Sequence, residues 1–192
     1  MIPLLTANLC FSQQTEGLKL IKNKYDIELK NIMAQYDKDT SKKISRKEFK
    51  IFKDKRNNQI NILEKNRNEE YLEELSKIKL SKQVGIPEPT IPNKEGEIAA
   101  EYPRGNDFFR QELADNFYSG TIDGKGKINC KLSFIIEKDG SITDVKGVGD
   151  NENFNRQAEL AVYLSEYKWK PATSNGIPVR YRFTTPLQLI FD

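Results

Sequence analysis

"YKWKPATSNGIPVRYRFTTPLQLIFD", residues 167–192, carries the pattern from which the rest of the fold follows. Val179, Tyr181, Phe183, Thr185, Leu187, Leu189 and Phe191 alternate with polar residues and fall on one face of a strand. A period of two marks a half-buried strand, which leaves Arg180, Arg182 and Thr184 facing away from the core. Ahead of it, Asn175-Gly176 supplies a turn, because both residue types tolerate positive φ. Pro186 interrupts the run, and a proline has no N–H to give to a ladder. The pattern therefore predicts an edge strand with one side unpaired, which is either an aggregation hazard or a docking site.

Upstream, the same alternation appears in "KINCKLSFII", residues 127–136, with Ile128, Cys130, Leu132, Phe134 and Ile136 on one side. "KDGS", residues 138–141, is a hairpin signal in which Asp-Gly supplies the positive φ angles of a tight turn, and Ile142 and Val145 mark the returning strand. Two helices flank this hairpin. Phe109, Leu113 and Phe117 step by four along the first, while Phe154, Ala158, Ala161 and Val162 mark the second, with Asp150 or Asn153 as its expected cap. The order helix–strand–strand–helix–strand predicts an α+β unit over residues 101–192: a small antiparallel three-stranded sheet with two helices on one face.

Residues 13–84 have a different texture. They contain a single glycine and no proline before Gly85, and their apolar residues recur at three- and four-residue steps, as in Leu18, Ile21 and Tyr25, or Tyr71, Leu72, Leu75 and Ile78. This predicts an all-α region of amphipathic helices. Residues 85–100 hold several prolines and glycines and read as a stiff linker. Residues 1–12 form a short apolar run ending in Cys10-Phe11-Ser12, which is expected to be an export signal leaving Gln13 as the mature N-terminus. The basic residues that precede such a core are not in it, so its start is expected upstream of Met1.

Composition narrows the function. The chain has no histidine and two cysteines, so histidine-based acid–base catalysis, histidine-ligated metals and thiolate zinc sites are excluded, and no enzyme is expected. A net charge of +3 with intermixed Lys and Glu argues against a nucleic-acid partner, and no apolar run is long enough to span a bilayer.

One stretch invites a metal. Residues 37–48, within "YDKDTSKKISRKEF", have the spacing of a degenerate EF-hand loop: Asp37, Asp39 and Ser41 at positions one, three and five, the Lys43 carbonyl at seven, Ser45 at nine and Glu48 at twelve. Calcium is the ion such hard oxygens would hold. Lys42 stands where the loop needs glycine, and five bases face three acids. The competing reading is a capping box made by Ser45 and Glu48 at the start of a helix.

"FIIEKDGSITDVKGVG", "AELAVYLSEYKWKPA" and "NGIPVRYRFTTPLQLIF" together resemble the TonB C-terminal domain family in its Bacteroidetes-type form. The resemblance rests on Asp139-Gly140, Trp169-Lys170-Pro171-Ala172, Gly176, Pro178-Val179 and Pro186. Upstream, "EYPRGNDFFRQELADNF" is similar to the first helix of that form. It implies a periplasmic or cell-envelope module that binds an extended segment of a protein partner by strand addition, an outer-membrane TonB-dependent transporter in the family, in the service of transmembrane transport. No cofactor is required, and a homodimer is a further expected arrangement. Val179, Arg180, Tyr181, Arg182, Phe183, Thr184 and Thr185 are the expected edge. An exported calcium-binding protein is the alternative.

Overall fold

The computed structural model describes residues 7–80 and 96–191, with side chains from Glu16 onward. The export signal expected at residues 1–12 lies partly outside these residues, as does most of the linker expected at 85–100. The chain divides into two compact units, one of Glu16–Glu74 and one that contains Leu75 onward.

The first unit holds residues 16–74 of a helical hairpin, and the end of its second helix from Leu75 belongs to the other unit. Helix α1, Ala7–Thr40, and helix α2, Arg46–Leu80, run past each other with only residues 41–45 between them. Good helix formers and the absence of proline explain the length, and neighbouring side chains fix the pairing. Tyr25 donates its hydroxyl to Glu70 Oε1 at 2.7 Å, Lys24 Nζ reaches the same oxygen at 2.6 Å, and the rings of Tyr36 and Phe49 meet near the turn. Helix α2 starts on the capping box. Glu48 Oε2 accepts from the Ser45 N–H at 2.8 Å, and Ser45 Oγ accepts from the Glu48 N–H at 3.2 Å.

The second unit is α+β. After β1, Glu97–Ile98, come α3, Asn106–Asp115, a 3-10 turn at Ser119–Thr121, and strands β2, Lys127–Ile136, and β3, Ile142–Gly149. Helix α4 then spans Glu152–Tyr163, and β4, Ala172–Ser174, β5, Ile177–Val179, and β6, Tyr181–Ile190, complete the chain. The main sheet has the order β3-β2-β6 and is antiparallel throughout, as the alternation predicts. Its inner face carries Cys130, Leu132, Phe134 and Ile136, all buried, beneath α3 and α4. Trp169 closes the core at one end, its indole within 5.0 Å of the Tyr102 and Phe109 rings and 4.9 Å of the Phe183 ring. Gly140 lets the hairpin tip lie against it: a Cβ there would collide with the Trp169 carbonyl, whose N–H donates to Gly140 O at 3.1 Å.

Four details differ from the sequence reading. A second small sheet, β1-β4-β5, stands beside the first, and the last residues expected in the linker form its edge. The closing strand does not run unbroken from Val179: β4 and β5 form a two-residue hairpin on Asn175 and Gly176, at φ 49° and 79°, before β6 begins. The Lys138–Gly140 loop is a three-residue hairpin in which Gly140 has positive φ and Asp139 does not. Helix α4 is capped by Asn151, whose Oδ1 accepts from the Phe154 N–H at 2.9 Å; Asp150 lies one residue too early and Asn153 is already inside the helix.

Candidate functional site

Strand β6 pairs with β2 in unbroken register from Ile136 opposite Tyr181 to Lys127 opposite Ile190. Just beyond it, the Phe191 N–H donates to Gly126 O at 2.7 Å. Antiparallel partners alternate between bonded and non-bonded pairs, so odd-numbered residues of β6 turn their N–H and C=O toward β2 and even-numbered ones turn them outward. Pro186 is even. Its missing N–H therefore falls on the outer side and costs the ladder nothing. The outward donors are those of Arg182, Thr184, Gln188 and Ile190, and among the described residues no strand pairs with that side.

Beside this edge lies an apolar groove of about 460 Å³. Leu113 and Phe117 form one wall, Phe154 and Ala158 the other, and Leu187 and Leu189 of β6 supply the floor at the sheet rim. The small side chains Ala158 and Ala161 on the face of α4 explain the space, since larger residues there would fill it. Arg110 is the one ionisable group in its lining, and Ser119 and Gln188 are the other polar side chains. The groove can take apolar side chains from an extended chain lying along β6, and it brings together no nucleophile with a base.

The seven residues expected on the edge are placed unequally. Val179 ends β5 and pairs with Ala172, so it is not on the β6 edge. Arg180, between β5 and β6, is engaged internally: Nε donates to Glu137 Oε2 at 2.8 Å and Nη2 to Oε1 at 3.0 Å, with both side chains 14% exposed. Arg182 lies 3.8 Å from Asp144 Oδ2, reaching over Ile135 on the outer face of β2, which is buried although it faces away from the helices. Phe183 stacks on Phe134 and Thr185 is buried, while Thr184 is exposed. Along this stretch Thr184 is the residue whose side chain is exposed and whose backbone turns outward. The groove sits farther along, at residues 186–189. Leu187 and Leu189 were visible as core-facing residues, but the vacancy beneath them depends on α3 and α4 and has no local signal.

The opposite edge of the same sheet is occupied. Glu159 of α4, 3% exposed, accepts the outward N–H of Gly147 at 2.9 Å, and Asn155 Nδ2 donates to Gly149 O at 2.9 Å. Lys79 Nζ reaches the other Glu159 oxygen at 2.7 Å. Gly147 is required here, since a Cβ would press on the Asn155 backbone at 2.7 Å. Burial also pushes the Tyr163 hydroxyl up to about 12 and raises the Cys130 thiol, which suits structural roles for both.

Among the expected calcium ligands, the side chains of Asp39, Ser41, Ser45 and Glu48 are hydrogen-bonded elsewhere. Asp37 and Asp39 lie within α1, the Ser41 N–H donates to Asp37 O at 2.9 Å, and Gln35 Nε2 donates to Asp39 Oδ1 at 2.7 Å. Lys43 is in the connecting loop, and Ser45 and Glu48 hold each other in the capping box. Among the described residues no three His, Cys, Asp or Glu side chains converge as a metal would need. This arrangement does not fit a twelve-residue calcium loop: Asp37, Asp39 and Glu48 would have to leave it to surround an ion. Likewise, no described helix is long and apolar enough to cross a membrane. Comparison of the chain with protein-family models, with curated proteins and with solved structures finds no match to any of them.

Proposed function

We propose that the second unit is a peptide-capture module of the cell envelope that binds an extended segment of a protein partner by strand addition along the outer side of β6. The observation that carries the reading is the direction of Pro186: the proline sits in an intact ladder with its donorless side outward, next to a groove on the same rim. An added strand would take its hydrogen bonds from the outward donors at Thr184, Gln188 and Ile190 and would drop alternate side chains into the groove. Backbone bonding of this kind gives affinity with little demand on the partner's sequence, and several bonds in a row resist pulling along the strand. The resemblance of residues 101–191 to the TonB C-terminal domain favours an outer-membrane transporter as the partner and energy transduction as the purpose.

Hydrogen exchange of the full chain, with and without synthetic peptides from the periplasmic N-termini of such transporters, tests this reading. Slowed exchange at Thr184, Gln188 and Ile190 supports it. Unchanged exchange along β6 with every peptide removes it.

A further inference from the structure

The positive charge of this chain is concentrated in one place. Between Asp37 and Arg56 there are nine Lys or Arg and four Asp or Glu, an excess of five, against three for the whole chain. Everything outside this segment therefore carries a net negative balance. The segment is the tip of the helical hairpin: the end of α1, the 41–45 connection and the first three turns of α2. Eight of the nine cations are exposed, and the ninth, Arg56, lies 4.3 Å over the Tyr36 ring. Among the described residues none of the nine has an ion-pair partner, although ion pairs are frequent elsewhere in the chain.

Large apolar side chains are exposed among these cations. Ile51 is 55% exposed and Phe49 47%. On a helix, residues four apart share a face, so Ile51 has Lys47 one turn before it and Lys55 one turn after it. Phe49 similarly lies between Arg46 and Lys53. Lys47 and Lys55 are about 12 Å apart along the axis on the face that Ile51 shares, so one flat surface laid against that face meets both. An apolar residue ringed by long cationic side chains can enter the acyl boundary of a bilayer while the ammonium groups stay at the headgroups. A nucleic acid would use the cations but would give Ile51 nothing to contact.

We propose that the hairpin tip is a docking site for an anionic phospholipid surface, with Lys47, Lys50 and Lys55 meeting the headgroups and Ile51 entering the interface. The site belongs to the first unit and is independent of the peptide edge on β6.

Co-sedimentation of the full chain with vesicles tests the proposal. With phosphatidylglycerol mixed into phosphatidylcholine the chain sediments, and raising the salt releases it; with pure phosphatidylcholine it stays in solution. Replacing Lys47, Lys50 and Lys55 with Gln lowers the partition on the order of a hundredfold, from about tenfold or less for each charge. Ile51→Ser lowers it about fivefold at the same charge. These positions are exposed, and an unchanged far-ultraviolet circular dichroism spectrum shows that the helices persist. Ile51→Trp gives a positive readout, a blue shift on anionic vesicles, while buried Trp169 stays constant. Equal binding to neutral vesicles, indifference to the lysine changes, or retention on a DNA duplex as strong as on the vesicles and untouched by Ile51→Ser would each overturn it.

Discussion

Strands β3 and β6 are the two edges of one three-stranded sheet, and they finish those edges in opposite ways. On β3, helix α4 supplies side chains to the open backbone: Glu159 takes the Gly147 N–H, and Asn155 binds the Gly149 carbonyl. A β-bulge at Asp144, with φ 50°, adds a local twist that discourages pairing. On β6, Pro186 removes one outward donor, and among the described residues no strand pairs with that side. One edge is sealed by tertiary contacts and the other is kept usable. An uncovered strand edge is an aggregation hazard, so under the proposed function the uncovered β6 edge is the one that would admit a partner strand.

The sharpest way to break this contrast is to move the proline. Leu187→Pro would place the missing N–H on the inner side, opposite Cys130, and is expected to cost about 3 kcal/mol or more. Thermal or urea unfolding measures it, and a loss as small as that of an outward proline would show that the ladder polarity derived from Phe191 is wrong. Next in size is the sealed edge. Glu159→Ala leaves the Gly147 N–H buried without an acceptor and Lys79 without its partner. With Lys79 41% exposed, the expected loss is about 2 kcal/mol rather than the larger figure of a fully buried pair. Faster exchange of the Gly147 amide should accompany it.

Thr184→Pro sharpens the contrast from the other side. It removes a second outward donor while leaving every bond to β2 intact, so stability should fall by about 1 kcal/mol or less. Peptide binding measured by calorimetry should fall at least tenfold, since at least one strand-addition bond is lost and its carbonyl partner is stranded. Undiminished binding would place the partner elsewhere. The smallest effect lies outside the sheet. Folding lowers the Glu48 pKa from 4.5, chiefly through the Ser45 N–H and then its hydroxyl. A lowered carboxylate pKa stabilises above the unfolded value and is lost as pH falls through the folded one. Acidifying below about 4.5 should therefore fray the start of α2, which residue-resolved exchange can read.

Much of this was legible before any coordinates. Alternation in residues 127–136 and 181–191 gave the strands and their inner faces, because a strand's side chains take sides strictly in turn. Asn175-Gly176 gave its turn, because few other residues accept two positive φ angles in succession. Ser45 and Glu48 mark a helix start, and the calcium-loop spacing of Asp37 and Asp39 lies in the same segment, where both residues belong to α1. The β4–β5 hairpin was hidden inside what read as one strand, since three-residue strands carry too little periodicity to separate. Arg180 read as an outward-facing residue available to a partner, yet it is tied to Glu137 from the neighbouring hairpin, a contact between residues 43 apart in sequence.

Local periodicity and a proline's missing donor are enough to assign the helices and strands, their apolar faces, and the edge position of the strand holding Pro186. Only the tertiary structure decided which way that proline points, which edge α4 seals, and where the groove opens. Those depend on register and on distant side chains meeting, and no local pattern encodes either.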